Sequence, residues 1–136
     1  MLTIEKLESI FADFPVAALL LTADDRFQII EANEAYLQLL SRSGESLCGR
    51  PFFDVFPDLQ PDDPESPIRR TGQSIRRSIE LKQPQAPGTI PYPVCDRLGH
   101  TRLRFWVPEF LPVVDERGAV VYVCQLIHEL RESPGL

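Results

Sequence analysis

The chain has 136 residues, enough for one ordinary domain and too few for a catalytic domain with a separate regulatory one. Its 43% hydrophobic and 25% charged residues match a soluble globular protein that buries about two thirds of its extended surface. With 14 basic against 20 acidic residues, the formal charge of -6 opposes non-specific contact with nucleic acid or anionic lipid, and neither is expected as a partner. Cys48, Cys95 and Cys124 form no C-x-x-C pair, which gives neither a disulfide framework nor a zinc site, so no metal site is expected and a reducing, cytoplasmic setting fits best. The apolar run from Pro15 to Leu21 is far short of the roughly 20 residues of a membrane helix, and the start MLTIEKLESIF is acidic where a signal peptide would be basic.

Thr3 is placed to cap a first helix in which Ile4, Leu7, Phe11 and Phe14 form one apolar seam. Such a seam must be covered, either by its own domain or by the same helix of a second subunit. Val16 to Thr22 reads as a buried strand, Ala23-Asp24-Asp25 as a turn and Phe27 to Ala32 as the antiparallel partner. Asn33 then caps a helix with Tyr36, Leu39 and Leu40 on its buried face. After Gly49-Arg50, Pro51 opens a short turn of helix carrying Phe52, Phe53, Val55 and Phe56, a core wall. Nine of the 13 prolines cluster at Pro51 to Pro67 and Pro84 to Pro93, which mark rigid connections.

Between those clusters a helix is expected from about Ser66 to Lys82. Ile68, Gly72, Ile75 and Ile79 mark one face and Arg69, Arg70, Arg76 and Arg77 the other, which reads first as a solvated face. The last third reads as a meander of three strands, Thr89 to Cys95, Thr101 to Val114 and Ala119 to His128. In the middle strand the alternation puts Leu103, Phe105 and Val107 on the core side and Arg102, Arg104 and Trp106 outward. Strands and helices are segregated along the chain, so the expected class is α+β: an antiparallel sheet with helices packed on one face and an amphipathic helix in front.

These elements, in this order, resemble the PAS family of sensory domains from about Ile10 to His128. Phe11 to Ala17 resembles the family's approach to its first strand, and Glu31-Ala32-Asn33-Glu34-Ala35-Tyr36 its asparagine-led helix start. Ser46 to Arg50 followed by Phe53 to Phe56 is similar to its glycine-arginine segment and the short helix after it. Phe105-Trp106-Val107-Pro108, Pro112 to Asp115 and Gly118-Ala119-Val120 resemble its last hairpin. The resemblance implies a five-stranded antiparallel sheet cupping a small cavity, with an N-terminal helix at 1–14, a core at 15–130 and a tail at 131–136.

Where the chain departs from the family, chemistry is removed. The reactive cysteine of the flavin photoreceptor branch, and the asparagine before it, fall on Phe52 and Pro51, so a flavin photoadduct is excluded. The long helix holds no histidine for haem, which is not expected, and the cofactor stays unknown. In place of the Asp-x-Thr motif that leads signalling PAS domains into a coiled coil stand Ile127-His128-Glu129-Leu130, and the sequence ends too early for a kinase domain. Gln125 resembles the glutamine that reads the ligand in the flavin branch; its alternative is an amide satisfied by backbone or internal water.

No catalytic residue is indicated. Asp24-Asp25 and Asp62-Asp63 lie in turns without an apolar pocket, and on a strand Cys124 and His128 are separated by about 13 Å, too far for a nucleophile and its base. The expected ligand pocket is lined by Gln125, Tyr36, Leu40, Phe52, Phe56, Ile75, Ile79, Leu103 and Phe105, and it suits a small apolar ligand. The expected dimer and signalling surface comprises Ile4, Leu7, Phe11, Phe14, Trp106 and Tyr122. The leading reading is a cytoplasmic sensor or interaction domain of a two-component or histidine-kinase type signalling protein, a homodimer through its first helix, passing a change to an output domain or partner protein. The alternatives are a small α+β isomerase or hydratase using Asp54 or His128, and a purely structural dimerisation module.

Overall fold

The computed structural model describes residues 2–13, 16–42 and 44–130. In chain order they form β1 (Leu2–Thr3), α1 (Ile4–Asp13), β2 (Ala17–Thr22), β3 (Ile29–Ala32) and α2 (Glu34–Leu39). These are followed by α3 (Phe52–Val55), α4 (Pro67–Leu81), β4 (Ile90–Cys95), β5 (Thr101–Val114) and β6 (Val120–Leu130). The expected seam residue Phe14, the expected boundary between residues 14 and 15 and the expected tail at 131–136 lie outside the described residues.

Five strands make the expected antiparallel sheet, in the order β4-β5-β6-β2-β3. The two-residue β1 is an addition: it runs parallel to the far end of β5, with Leu2 opposite Val113. Two residues carry no periodic pattern, so nothing in their sequence marks them as a strand. The first hairpin is shorter on its second arm than Phe27 to Ala32 suggests. Phe27 turns into the left-handed region at φ 47° and Gln28 makes only an isolated bridge to Pro51, so regular pairing begins at Ile29.

Local chemistry sets the helix starts. Asn33 Oδ1 accepts from the Tyr36 amide at 2.9 Å and from the Ala18 amide at 3.0 Å, while its Nδ2 donates to the Val16 carbonyl at 2.8 Å. One side chain thus caps α2 and pins it to β2. Ser66 Oγ accepts from the Arg69 amide at 3.1 Å and donates to Asp58 Oδ2 at 2.7 Å, and Pro67 occupies the first turn, where its missing N–H costs nothing. Lys82, at φ 53°, closes α4 in the left-handed region. Where α4 crosses α3, a Cβ on Gly72 would stand 3.3 Å from the Phe53 ring, so glycine permits the close approach.

The sheet has two apolar faces, and β2 is buried from Ala17 to Leu21 because it contributes to both. Its inner residues Leu19 and Leu21 join Tyr36, Phe52, Ile75 and Phe110 in the main core beneath the helices. Its outer residues Ala18 and Leu20 join Leu7, Val113 and Cys124 in a second cluster, against which Phe11 and Tyr122 pack. The first helix therefore lies on the outer face of its own sheet. Of its seam, Leu7 is buried, Phe11 is half-buried and Ile4 is 42% exposed.

The phase of β5 is the reverse of the sequence expectation. Trp106 is 3% exposed and belongs to the main core, whereas Leu103 is 59% exposed and Phe105 is half-buried on the outer face. Arginine misled the pattern. Arg104 shares the inner face with Trp106 but sits at the mouth of the cup, where its guanidinium lies 5.5 Å from the Trp106 ring and Nη1 donates to the Leu39 carbonyl at 3.3 Å. Its Nε is 2.6 Å from Glu129 Oε2 without the N–H being aimed at that oxygen, a close pairing of charges more than an aligned hydrogen bond.

Candidate functional site

Under α4 the cup of the sheet holds a cavity of about 40 Å³. Tyr36 and Leu40 enter from α2 and its cap, Phe52 and Phe56 from α3 and its cap, and Trp106 and Gln125 from the sheet floor. That volume has room for a few waters, against the roughly 300–1,000 Å³ of a pocket for a drug-sized molecule. The aromatic wall accounts for the filling: Phe52 lies edge-on to Phe53 at 5.1 Å and against Phe56 at 5.0 Å, and Phe56 meets Tyr92 at 6.0 Å.

Two of the polar side chains lining the cavity bond to each other. The Tyr36 hydroxyl donates to Gln125 Oε1 at 3.1 Å, tying α2 to β6 across 89 residues of sequence. Burial pushes the Tyr36 phenol far up, with only a small opposing pull from Arg42, so it is a neutral donor throughout the physiological range. Gln125 faces inward, and its amide oxygen accepts from a side chain, the Tyr36 hydroxyl.

Tyr36, Leu40, Phe52, Phe56 and Gln125 are thus brought together around one cavity. Ile75 is fully buried in the same core without bordering the cavity, and Ile79 packs at its margin. Leu103 and Phe105, expected in the pocket, lie on the opposite face of the sheet, and Trp106, expected on the signalling surface, is a cavity wall. Both corrections follow from the one-residue phase error in β5, because a strand's faces alternate. Pattern reading also missed Ile68, Thr71, Ile90, Tyr92, Pro108 and Ile127. Of these, Ile68 was signalled by the apolar stripe of α4, and Pro108 by its place on the Trp106-Phe110 face.

The groups weighed for other chemistry stand apart from the cavity. Asp54 and His128, the candidates for a buried acid, are both exposed. Cys124 is buried beneath α1, and burial pushes its thiol up to about 12, the wrong direction for a nucleophile. Asp24 accepts from the Thr22 hydroxyl and from the Arg26 and Phe27 amides, which makes it a turn residue. Among the arginines of α4, Arg70 donates to the Pro87 and Thr89 carbonyls, Arg69 to the Pro61 carbonyl, and Arg76 lies over the Phe27 ring. No cluster of three metal-ligating side chains occurs among the described residues, and no described helix is long and apolar enough to cross a membrane. Cys48 is exposed and does not border the cavity, whose volume of about 40 Å³ is far smaller than a tricyclic ring system.

A family profile described as the PAS fold matches residues 12–133. A PAS domain of a protein from Colwellia psychrerythraea superposes with a TM-score of 0.65 at 15% identity, covering 93% of this chain and 96% of that one. A Rhodobacter sphaeroides LOV protein has a TM-score of 0.65 at 18% identity, covering 96% and 68%. A sensory box sensor histidine kinase from Vibrio cholerae has a TM-score of 0.57 at 15% identity, covering 93% and 90%. At these identities the superpositions establish the fold alone. No curated protein matches the sequence. The chain belongs to the PAS family, whose domains are typically sensory and signalling modules.

Proposed function

We propose that the chain is the sensor module of a cytoplasmic signal-transduction protein, of the kind that governs a histidine kinase or another output partner, and that it works by ligand-dependent rearrangement rather than catalysis. The observation that supports this reading is the alternation along β6. Gln125 faces the cavity and receives the Tyr36 hydroxyl, while Cys124 and Leu126 on either side of it face the seat of α1. A change in what Gln125 bonds therefore displaces the strand on which the terminal helix rests. The module shifts between two arrangements of sheet and helix, and a ligand favours the one that it binds more tightly.

Amide hydrogen exchange tests the relay. In Gln125→Leu, α1 exchanges faster than in wild type, whereas Ile75→Val, a core change off β6, leaves α1 close to the wild-type rate. Equal effects of the two variants on α1 would mean that general destabilisation, not β6, sets its exchange.

Self-association is a second reading, favoured by the outer face of the sheet beside α1. Leu103, Phe105, Val107 and Leu130 lie there exposed or half-exposed. A second copy of the chain would cover this strip and leave Leu7 and Phe11 in their own protomer.

A further inference from the structure

A larger hollow opens at the surface beside the inner cavity. It lies between the turn after α2, α3 and β4 and has a volume of about 430 Å³, within the roughly 300–1,000 Å³ of small-molecule pockets. Leu40, Phe56 and Tyr92 border both spaces, so a single layer of side chains separates them.

The lining is mixed: Leu40, Val55, Phe56 and Leu59 make an apolar side, Ser41, Cys95 and Thr101 add polar groups, and one cation stands there with a weak partner. Arg42 stands 5.9 Å from the centroid of the Phe56 ring, and its carboxylate neighbour Glu45 is 3.8 Å away with half of its side chain exposed. An exposed pair three residues apart at that distance is worth little, so Arg42 is available to a better-placed anion. Its field already reaches the wall between the two spaces, because it opposes the upward push of burial on both the Tyr36 and the Tyr92 phenols. Since the chain as a whole carries a formal charge of -6, attraction of an anion here is local to this guanidinium.

We propose that this groove binds a small amphipathic carboxylate, its head paired with Arg42 and its apolar body laid against Leu40, Phe56 and Leu59. A carboxylate matches the fork of the guanidinium, and the apolar side formed by Leu40, Val55, Phe56 and Leu59 offers an apolar tail what water does not. The proposal deepens the sensory reading and rests on it for its consequence, though not for binding itself. A body pressed against Tyr92 bears on Trp106, whose Nε1 donates to the Tyr92 carbonyl at 3.2 Å and whose ring is a wall of the inner cavity.

Trp106 is the single tryptophan of the chain, so its fluorescence reports occupancy. Sodium octanoate added to the full chain gives a saturable change, and Arg42→Gln weakens it about tenfold or more, as does exchange of octanoate for 1-octanol. In Cys48→Ser, where Cys95 is the one exposed thiol among the described residues, octanoate also slows alkylation of Cys95, which borders the groove. Equal affinities for octanoate and 1-octanol, or an unchanged affinity in Arg42→Gln, overturn the proposal. So does a titration that saturates in neither fluorescence nor Cys95 alkylation. Gln125→Leu separates this site from the relay: it keeps octanoate binding within about twofold while altering α1 exchange. Loss of octanoate binding alone defeats the groove, and loss of the exchange difference alone defeats the relay.

Discussion

The Tyr36–Gln125 pair concentrates the chemistry of the cavity in two residues. Tyr36→Phe removes the donor and leaves the Gln125 amide oxygen buried without its partner, at a cost of about 1–3 kcal/mol. Adding Gln125→Leu removes the stranded group, so the double variant should recover part of that loss in urea denaturation; strict additivity would show that the two side chains are energetically independent. Asp58 supplies a second residue-scale test. The Ser66 hydroxyl beside it, followed by the Gln60 amide and the Arg69 charge, holds its carboxyl below the usual value. A carboxyl lowered in the folded state contributes stability above its unfolded pKa of about 4, and that stability is lost as pH falls through the folded value. Ser66→Ala should therefore lower stability near neutrality and flatten its fall below about pH 4. An acid limb parallel to wild type would count against that linkage. Single residues were legible where local chemistry assigns them: Asn33 as a cap, and Gln125 as the one amide in an apolar strand. The partner of Gln125 was not legible, because Tyr36 reaches it only through tertiary folding.

At the scale of the element, β5 separates what pattern can and cannot decide. Its length was legible from end to end, whereas its phase was not, since Leu103, Phe105 and Val107 form as regular an alternation as Trp106, Pro108 and Phe110. The first set was read inward because two arginines share the other face. Position along the strand overrides that rule: Arg104 lies at the rim, where it is paired with Glu129, and the core begins one step further in, at Trp106. Truncation measures the phase directly. Trp106→Ala empties a buried site and should cost about 3–5 kcal/mol, enough to leave a domain of this size marginal, while Leu103→Ala should cost less than about 1 kcal/mol. Comparable losses at both positions would contradict the assignment of faces. The short elements escaped the sequence for a different reason. Neither β1 nor the left-handed turn at Phe27 spans enough residues for a period, and both are imposed by neighbours, β5 in one case and the Pro51 bridge in the other.

For the molecule as a whole, the question left by the first helix is what its seam covers. Apolar spacing alone allowed either its own sheet or a second subunit, and the fold uses Leu7 and Phe11 within the chain. This changes which substitutions bear on assembly. Leu7→Asp would place a charge in the second cluster and release α1, so it disturbs the protomer before it says anything about a partner. Leu103→Asp falls on the exposed strip beyond α1, where an added carboxylate costs the protomer little but would be desolvated at a contact between two copies. If that strip is the contact, wild-type protein sediments as a dimer over a micromolar range, while Leu103→Asp sediments as a monomer with an unchanged urea midpoint. Should Leu103→Asp remain dimeric while Ile4→Asp becomes monomeric, the contact lies along the exposed flank of α1 instead. A wild-type monomer throughout that range would remove self-association from the reading, and the relay from Gln125 to α1 would then have to act on a different partner chain.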